Sequence, residues 1–208
     1  MLKVRSATLS PSYVDEQRIR NLPGENSAKF DTILRYNLGK FVRLLHDAPV
    51  ETHSLLDVGC RGGAGLLELR SLLGQGTRCV GVDIVPEFVE ECKGKGLECE
   101  EADICVLPFA DGEFDAVICH QVLEHAIDPY LALDELLRVA AKSLLIGVPV
   151  EYDAVEPCHI TTATLDDDWF EMIDAEVEGE WRKLGAWRNM AGQGFHYVNV
   201  ALARGVHA

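Results

Sequence analysis

The apolar positions of this chain change period several times, and each change marks an element. Between residues 27 and 47, Phe30, Ile33, Leu34, Leu38, Phe41, Val42 and Leu45 recur at steps of three and four. That spacing puts them on one stripe of a helix, with Ser27 suited to the cap and Pro49 ending the pattern. From residue 54 onward, short apolar runs alternate with helical patterns. Strands are expected at 54–58, 78–83, 97–101, 114–119 and 143–148. Helices are expected at 64–73, at 86–93, and from Asp128-Pro129 to about Val139. A further helix is read at 165–173, after a loop at 149–163. The tail departs from the alternation. Residues 176–184 and 194–203 read as two strands of a hairpin joined through AWRNMAGQG, with no helix between them. Residues 1–26, punctuated by Pro11, Pro23 and Gly24, read as irregular. Alternating strands and helices imply a mostly parallel sheet with helices on both faces. Ligands in such sheets bind beyond the C-terminal strand ends, near the point where the strand order reverses.

Composition narrows this reading only slightly. The chain has 208 residues, 48% hydrophobic and 25% charged, which suits one domain with a substantial core. No apolar run reaches the roughly 20 residues of a membrane span. The N-terminus lacks the apolar segment of a signal peptide, so a cytoplasmic protein is expected. Seven cysteines are scattered with no C-x-x-C pair, so neither a disulfide framework nor a metal site is expected. The formal net charge is −15. Its distribution is uneven, since residues 1–50 carry eight Lys/Arg against five Asp/Glu. An acidic body argues against nucleic acid as a partner, because phosphate backbones need clustered cations.

The candidate chemistry lies where successive strands end. Gly59, Gly62 and Gly63 follow the strand at 54–58 and open the next helix. A turn of this kind lets a ligand approach the main chain and offers free N–H groups at a helix N-terminus. Asp83 closes the next strand, 24 residues past Gly59. An acid there can accept the hydroxyls of a ribose. Asp103 is placed to accept from an exocyclic amine, with Ile84 and Ile104 as apolar neighbours for a purine. The dinucleotide fingerprint G-x-G-x-x-G is absent, because Arg61 stands at its second glycine.

These residues, LLDVGCRGG, VGVDI, ADICVLPFADGEFDAVICHQVLEH and LLIGVPVE, resemble the class I S-adenosylmethionine-dependent methyltransferases. The branch they are most similar to methylates ubiquinone precursors and small molecules. The likeness covers about residues 50–150. It implies a Rossmann-like α/β fold with a seven-stranded, mostly parallel sheet and an antiparallel C-terminal strand. It also implies S-adenosylmethionine as cofactor and a small-molecule or lipid-like acceptor. The cofactor set carried over is Asp57, Gly59, Cys60, Arg61, Gly63, Asp83, Ile84, Asp103, Ile104 and His120. The glycines and Asp57 would face the methionine part, Asp83 the ribose, Asp103 and the Ile104 backbone the adenine, and His120 the methionine end. Arg61 departs from the usual D-x-G-x-G-x-G, and its side chain either faces solvent or meets the cofactor carboxylate.

For a general base the candidates are His125 and His159, since histidine titrates near neutral pH. His125 reads equally as a structural residue, because its Leu-Glu-His run recurs in relatives with unlike substrates. Trp181 and Trp187 read as packing. One domain is expected over 1–208, divided into a lid and docked helix at 1–49, a cofactor core at 50–150 and a substrate side at 151–208. Tyr13, Arg18, Arg20 and Arg35 in the lid region are donors suited to an anion. Two other readings stand beside the enzyme: a methyltransferase-like subunit without turnover, and an NAD-dependent oxidoreductase.

Overall fold

A computed structural model of the chain describes residues 3–4, 27–48, 50–150, 161–162, 173, 180–191 and 195–205. The elements in order are β1 (Lys3–Val4), α1 (Ser27–Asp47), β2 (Ser54–Val58), α2 (Ala64–Leu73), β3 (Arg78–Asp83), α3 (Pro86–Gly94), β4 (Glu98–Glu101) and β5 (Phe114–His120). After β5 come a 3-10 turn (Leu123–His125), α4 (Pro129–Val139), β6 (Ala140–Val150), β7 (Thr161–Thr162), β8 (Trp181–Ala191) and β9 (Phe195–Arg204).

Seven strands form one sheet in the order β4-β3-β2-β5-β6-β9-β8. The pairs from β4 through β6 are parallel. The C-terminal strand β9 inserts antiparallel between β6 and β8. The expected α/β fold with an antiparallel C-terminal strand is therefore present. The strand order reverses between β2 and β5, so a ligand crevice opens there, beyond Val58 and His120.

Successive side chains on a strand point to opposite faces, and the sheet accordingly builds two cores. Leu55, Ile118 and Leu145 face α1, α2 and α3, where they meet Leu38, Phe41, Leu45, Leu66, Leu69 and Val89. Leu56, Val117 and Leu144 face the other way, against Leu133, Leu136 and Val139 of α4. The stripe read on α1 thus has its partner: Leu38, Phe41, Val42 and Leu45 are each buried. Helix α4 starts where expected because Asp128 caps it. The Asp128 carboxylate accepts from the N–H groups of Tyr130 (3.0 Å) and Leu131 (3.1 Å), and Pro129 takes the first helical position.

Two strands differ most from the sequence reading. Strand β6 runs from 140 to 150, longer at both ends than expected. Strand β8 runs from 181 to 191, so most of the stretch read as a connection is strand. Its register with β9 shifts between Lys183 and Gly185. Such a bulge adds a residue and breaks the alternation on which a strand is recognised. Of the loop expected at 149–163, residues 149–150 belong to β6 and Thr161–Thr162 to β7, and the rest lies outside the described residues, as does the helix expected at 165–173, Ile173 apart.

The cysteine expectation is corrected. Cys92 near the end of α3 and Cys99 in β4 form a disulfide with Cα atoms 6.3 Å apart. The corner between α3 and β4 brings together two cysteines that share no recognisable motif, within the Cα separation a disulfide needs.

Candidate cofactor-binding site

The turn after β2 is shaped by backbone hydrogen bonds that only a few residue types permit. The N–H groups of Gly59 and Cys60 both donate to the Val82 carbonyl, at 2.8 and 3.0 Å, and the Gly63 N–H donates to the Cys60 carbonyl at 2.9 Å. This winding holds Gly59 at φ 76° and Gly63 at φ 82°. A Cβ on Gly59 would run into the Val122 side chain, and one on Gly63 would stand 2.6 Å from Leu97 Cδ1. Glycine is required at both positions by conformation and by space. Arg61 also sits in the left-handed region, at φ 48°. Its guanidinium carbon lies 5.7 Å from the centroid of the Phe88 ring on α3, which fixes its placement over that helix. Helix α3 covers the outside of the turn as well, where Lys95 Nζ donates to the Gly62 carbonyl and to Glu91.

Three acids mark successive strand ends. Asp57, on β2, is buried beneath the start of α2, its Oδ2 beside the open face of Gly65. Burial, with the Asp83 carboxylate adding to it, pushes its pKa up to about 7. Asp83, at the end of β3, is also buried. Its Oδ2 accepts from the Arg61 N–H and its Oδ1 from the Val85 N–H, each at 2.9 Å. Burial raises its pKa, and these two hydrogen bonds oppose the rise. Asp83 therefore orders the turn that it flanks, and each oxygen keeps a lone pair for a ligand hydroxyl. Asp103 Oδ1 accepts from the Cys105 N–H at 2.9 Å, which closes a small loop after β4. Ile84 is half-buried beside Asp83. The Ile104 side chain is packed in the α4-facing core. Cys60 is buried under the turn. Burial first, then Asp57 and Asp83, hold its thiol far above the usual range.

His120 ends β5 and is tied to α1 by a chain whose donors can be assigned. The Trp187 indole N–H donates to Asn37 Oδ1 at 2.9 Å. An indole nitrogen only donates, so the Asn37 amide must present its NH2 to His120 Nε2, 2.7 Å away. An amide nitrogen cannot accept, so Nε2 carries no proton and the imidazole is neutral. Burial holds its pKa down to about 4, with the Asn199 side chain opposing the shift only in part. The missing side chain of Gly147 makes room for the ring, since a Cβ there would stand 2.5 Å from His120 Cδ2. His120 is thus a joint between α1, β5 and β8.

His125 lies in the 3-10 turn with its side chain mostly buried and Nε2 3.9 Å from Glu124 Oε1. His159 lies outside the described residues, as do Tyr13, Arg18, Arg20 and residues 5–26 of the expected lid. Lys3–Val4, at the start of that region, pair antiparallel with Thr161–Thr162. Sequence reasoning assigned no role to Gln121. It adopts φ 60°, donates its N–H to the Gly147 carbonyl, and keeps a buried Nε2 with no partner among the described residues. A non-glycine residue in the left-handed region, carrying an unsatisfied amide beside a glycine turn, is a mark of a ligand site.

The set fits an adenosyl amino acid. A backbone cradle closed to side chains, acids at three neighbouring strand ends and one orphaned amide converge on one edge of the sheet. Two surface cavities, of about 310 and 350 Å³, are lined by residues such as Leu44, Ala48 and Arg182 and by Val50 to His53. They lie near the opposite strand ends and take no part in this site.

Residues 56–143 match the family model described as Methyltransferase domain. Norajmaline N-methyltransferase of Rauvolfia serpentina is 30% identical over 119 residues, covering 53% of this chain and 39% of the relative. Ubiquinone biosynthesis O-methyltransferase of Xanthomonas oryzae is 36% identical over 100 residues, covering 45% of this chain and 39% of the relative. The chain spans about two fifths of the length of these curated relatives. Magnesium protoporphyrin IX methyltransferase from Synechocystis, solved with bound SAH, has a TM-score of 0.65 at 16% identity over 94% of this chain and 95% of that one. At that identity the likeness establishes the fold. Over residues 56–143 the chain is thus similar to methyltransferase domains, and its fold is that of a methyltransferase solved with bound SAH.

Proposed function

We propose that this protein transfers the methyl group of S-adenosylmethionine to a small-molecule acceptor, lipid-like acceptors included. The observation that carries the reading is the convergence of the glycine turn, Asp57, Asp83 and Gln121 on the edge where the strand order reverses. When bound, the cofactor supplies an electrophilic methyl group on a sulfonium.

The chain's own residues then hold and align. The backbone of Gly59 to Gly63 takes the methionine end against bare main chain. Asp57, poised near neutrality, meets the cofactor ammonium and is ionised by it. Asp83 accepts the ribose hydroxyls through its remaining lone pairs, and Asp103 with the Ile104 backbone takes the adenine. The Gln121 amide donates toward the methionine carboxylate or the acceptor. Alignment of this kind can lower the barrier by roughly 7–11 kcal/mol without a strong base. His120 does not serve as that base, since its Nε2 is already the acceptor for Asn37. The contact of His125 with Glu124 favours a positioning role. The family resemblance assigns the acceptor side to the N-terminal segment and to residues 151–208, the terminal hairpin included.

Thermal shifts with S-adenosylmethionine, S-adenosylhomocysteine and NAD test the cofactor, because tight ligands raise stability by mass action. Asp83→Ala should weaken S-adenosylhomocysteine binding by about 1.5–3 kcal/mol, the range for hydrogen bonds to a charged group. Calorimetry that shows an unchanged Kd in a folded variant removes the ribose assignment. Transfer of labelled methyl to pooled O-, N- and C-nucleophile acceptors separates an enzyme from a binding subunit.

A further inference from the structure

Three sulfurs meet beneath the glycine turn. Cys60, Cys92 and Cys99 are all buried, and their Sγ atoms lie within 4.8 Å of one another. They come from three elements: the turn after β2, the end of α3 and strand β4. Two glycines make the space. A Cβ on Gly81 would stand 2.6 Å from Cys60 Sγ and 3.2 Å from Cys99 Sγ, and one on Gly63 would stand 2.9 Å from Cys92 Sγ. No other residue type at these two positions leaves the sulfurs where they are.

We propose that Cys60, Cys92 and Cys99 form a three-sulfur site for a soft, thiophilic metal ion, available when the Cys92–Cys99 disulfide is reduced. In the oxidised form two of the three ligands are bonded to each other. A thiol reductant breaks that bond: two electrons and two protons pass to Cys92 and Cys99, and the reductant leaves as its own disulfide. The freed sulfurs must then part to non-bonded contact. A trigonal ion with metal–sulfur bonds near 2.3 Å sets its three ligands about 4 Å apart, a separation that Cys92 and Cys99 reach only on parting and that stays within the 4.8 Å span of the cluster. Each thiol gives up its proton as the ion binds. Thiolate ligands select soft ions such as monovalent copper or divalent cadmium. Zinc is a poorer match, since it takes four ligands and the cluster holds no histidine nitrogen or carboxylate oxygen among the described residues. The inference does not depend on methyl transfer.

Divalent cadmium is the probe. The full chain, reduced with a phosphine and desalted without oxygen, should take up cadmium with the near-ultraviolet absorption of thiolate-to-cadmium charge transfer. The same protein before reduction should not. Cys60→Ser, Cys92→Ser and Cys99→Ser should each weaken uptake more than tenfold, whereas Cys79→Ser, Cys105→Ser and Cys119→Ser should leave it unchanged. Wild type alone supplies a second readout. Bound cadmium should shield Cys60, Cys92 and Cys99 from alkylation, read by peptide mass, and not Cys79, Cys105 or Cys119. Absence of uptake after reduction, uptake that survives Cys60→Ser, or shielding of a different set of cysteines overturns the proposal.

Discussion

At the scale of single residues, the two largest carboxylate and imidazole shifts oppose each other. Asp57 has a folded pKa raised to about 7 from 3.8. Its contribution to stability is therefore full below about pH 4 and is lost as pH rises through 7. His120 is held down to about 4 from 6.5. Its contribution is full above 6.5 and is lost as pH falls toward 4. Between those limits the two slopes cancel. Asp57→Asn should expose the histidine term, so the stability of the ligand-free variant should climb by about 3 kcal/mol from pH 4 to 6.5. Denaturant melts across that range check it, and a variant as flat as wild type rejects the assignment of the shifts. Arg61 gives a second test. Replacing it with glycine removes a left-handed non-glycine residue, worth about 1–2 kcal/mol, and a cation–π contact worth about 0.5–1 kcal/mol. Arg61→Gly should leave stability within about 1 kcal/mol and the S-adenosylhomocysteine Kd within about threefold. A tenfold loss of affinity would show that the guanidinium reaches the ligand. The sequence made the glycines and acids of the site legible, because their chemistry follows from residue type and spacing. Gln121 and the Trp187–Asn37–His120 chain were not legible. A left-handed φ leaves no trace in a residue name, and the two hydrogen bonds join residues 150 and 83 positions apart.

At the scale of elements, period and punctuation located β2, α2, β3 and α1 at their observed limits, since each couples one apolar face to a clear stop. Strand β8 resisted because its bulge breaks the alternation. The Cys92–Cys99 pair resisted because a corner, rather than a motif, creates it. The docking of α1 was read from its apolar stripe alone, yet a polar link also fixes it. Asn37 is fully buried and answers both Trp187 and His120. Trp187→Phe keeps most of the apolar ring but leaves Asn37 Oδ1 without its donor. The expected cost is about 1–3 kcal/mol, the penalty for an unsatisfied buried acceptor. Combined with Asn37→Leu, which takes the Asn37 donor away from His120 Nε2, the loss should be less than the sum of the two single losses, because the orphaned Asn37 oxygen is then gone. Urea unfolding with unchanged m-values measures both effects. Additive losses would mean that α1 is held by packing alone.

At the scale of the whole molecule, the sheet order brings the ends of β2, β3, β4 and β5 to one edge, so that residues far apart in sequence meet at one candidate site. Sequence alone led to this arrangement through the β/α alternation. The same edge belongs to a body with a formal net charge of −15, and Asp57 and Asp83 bring part of that charge into the site itself. S-adenosylmethionine carries one net positive charge near neutral pH, because its ammonium and carboxylate cancel and the sulfonium remains. S-adenosylhomocysteine lacks the sulfonium and is neutral overall. The summed field of an acidic protein therefore favours the substrate form of the cofactor over the product form, at a range set by salt. The screening length shortens from about 30 Å at 0.01 M to about 8 Å at 0.15 M ionic strength. Across that interval the affinity of S-adenosylmethionine relative to S-adenosylhomocysteine should fall roughly twofold or more, with the neutral product the less affected of the two. Calorimetric Kd values for both ligands at each salt concentration measure the ratio. A ratio that does not move would mean that only charges in direct contact with the sulfonium are felt there. The acidity of the rest of the chain would then serve solubility rather than cofactor exchange.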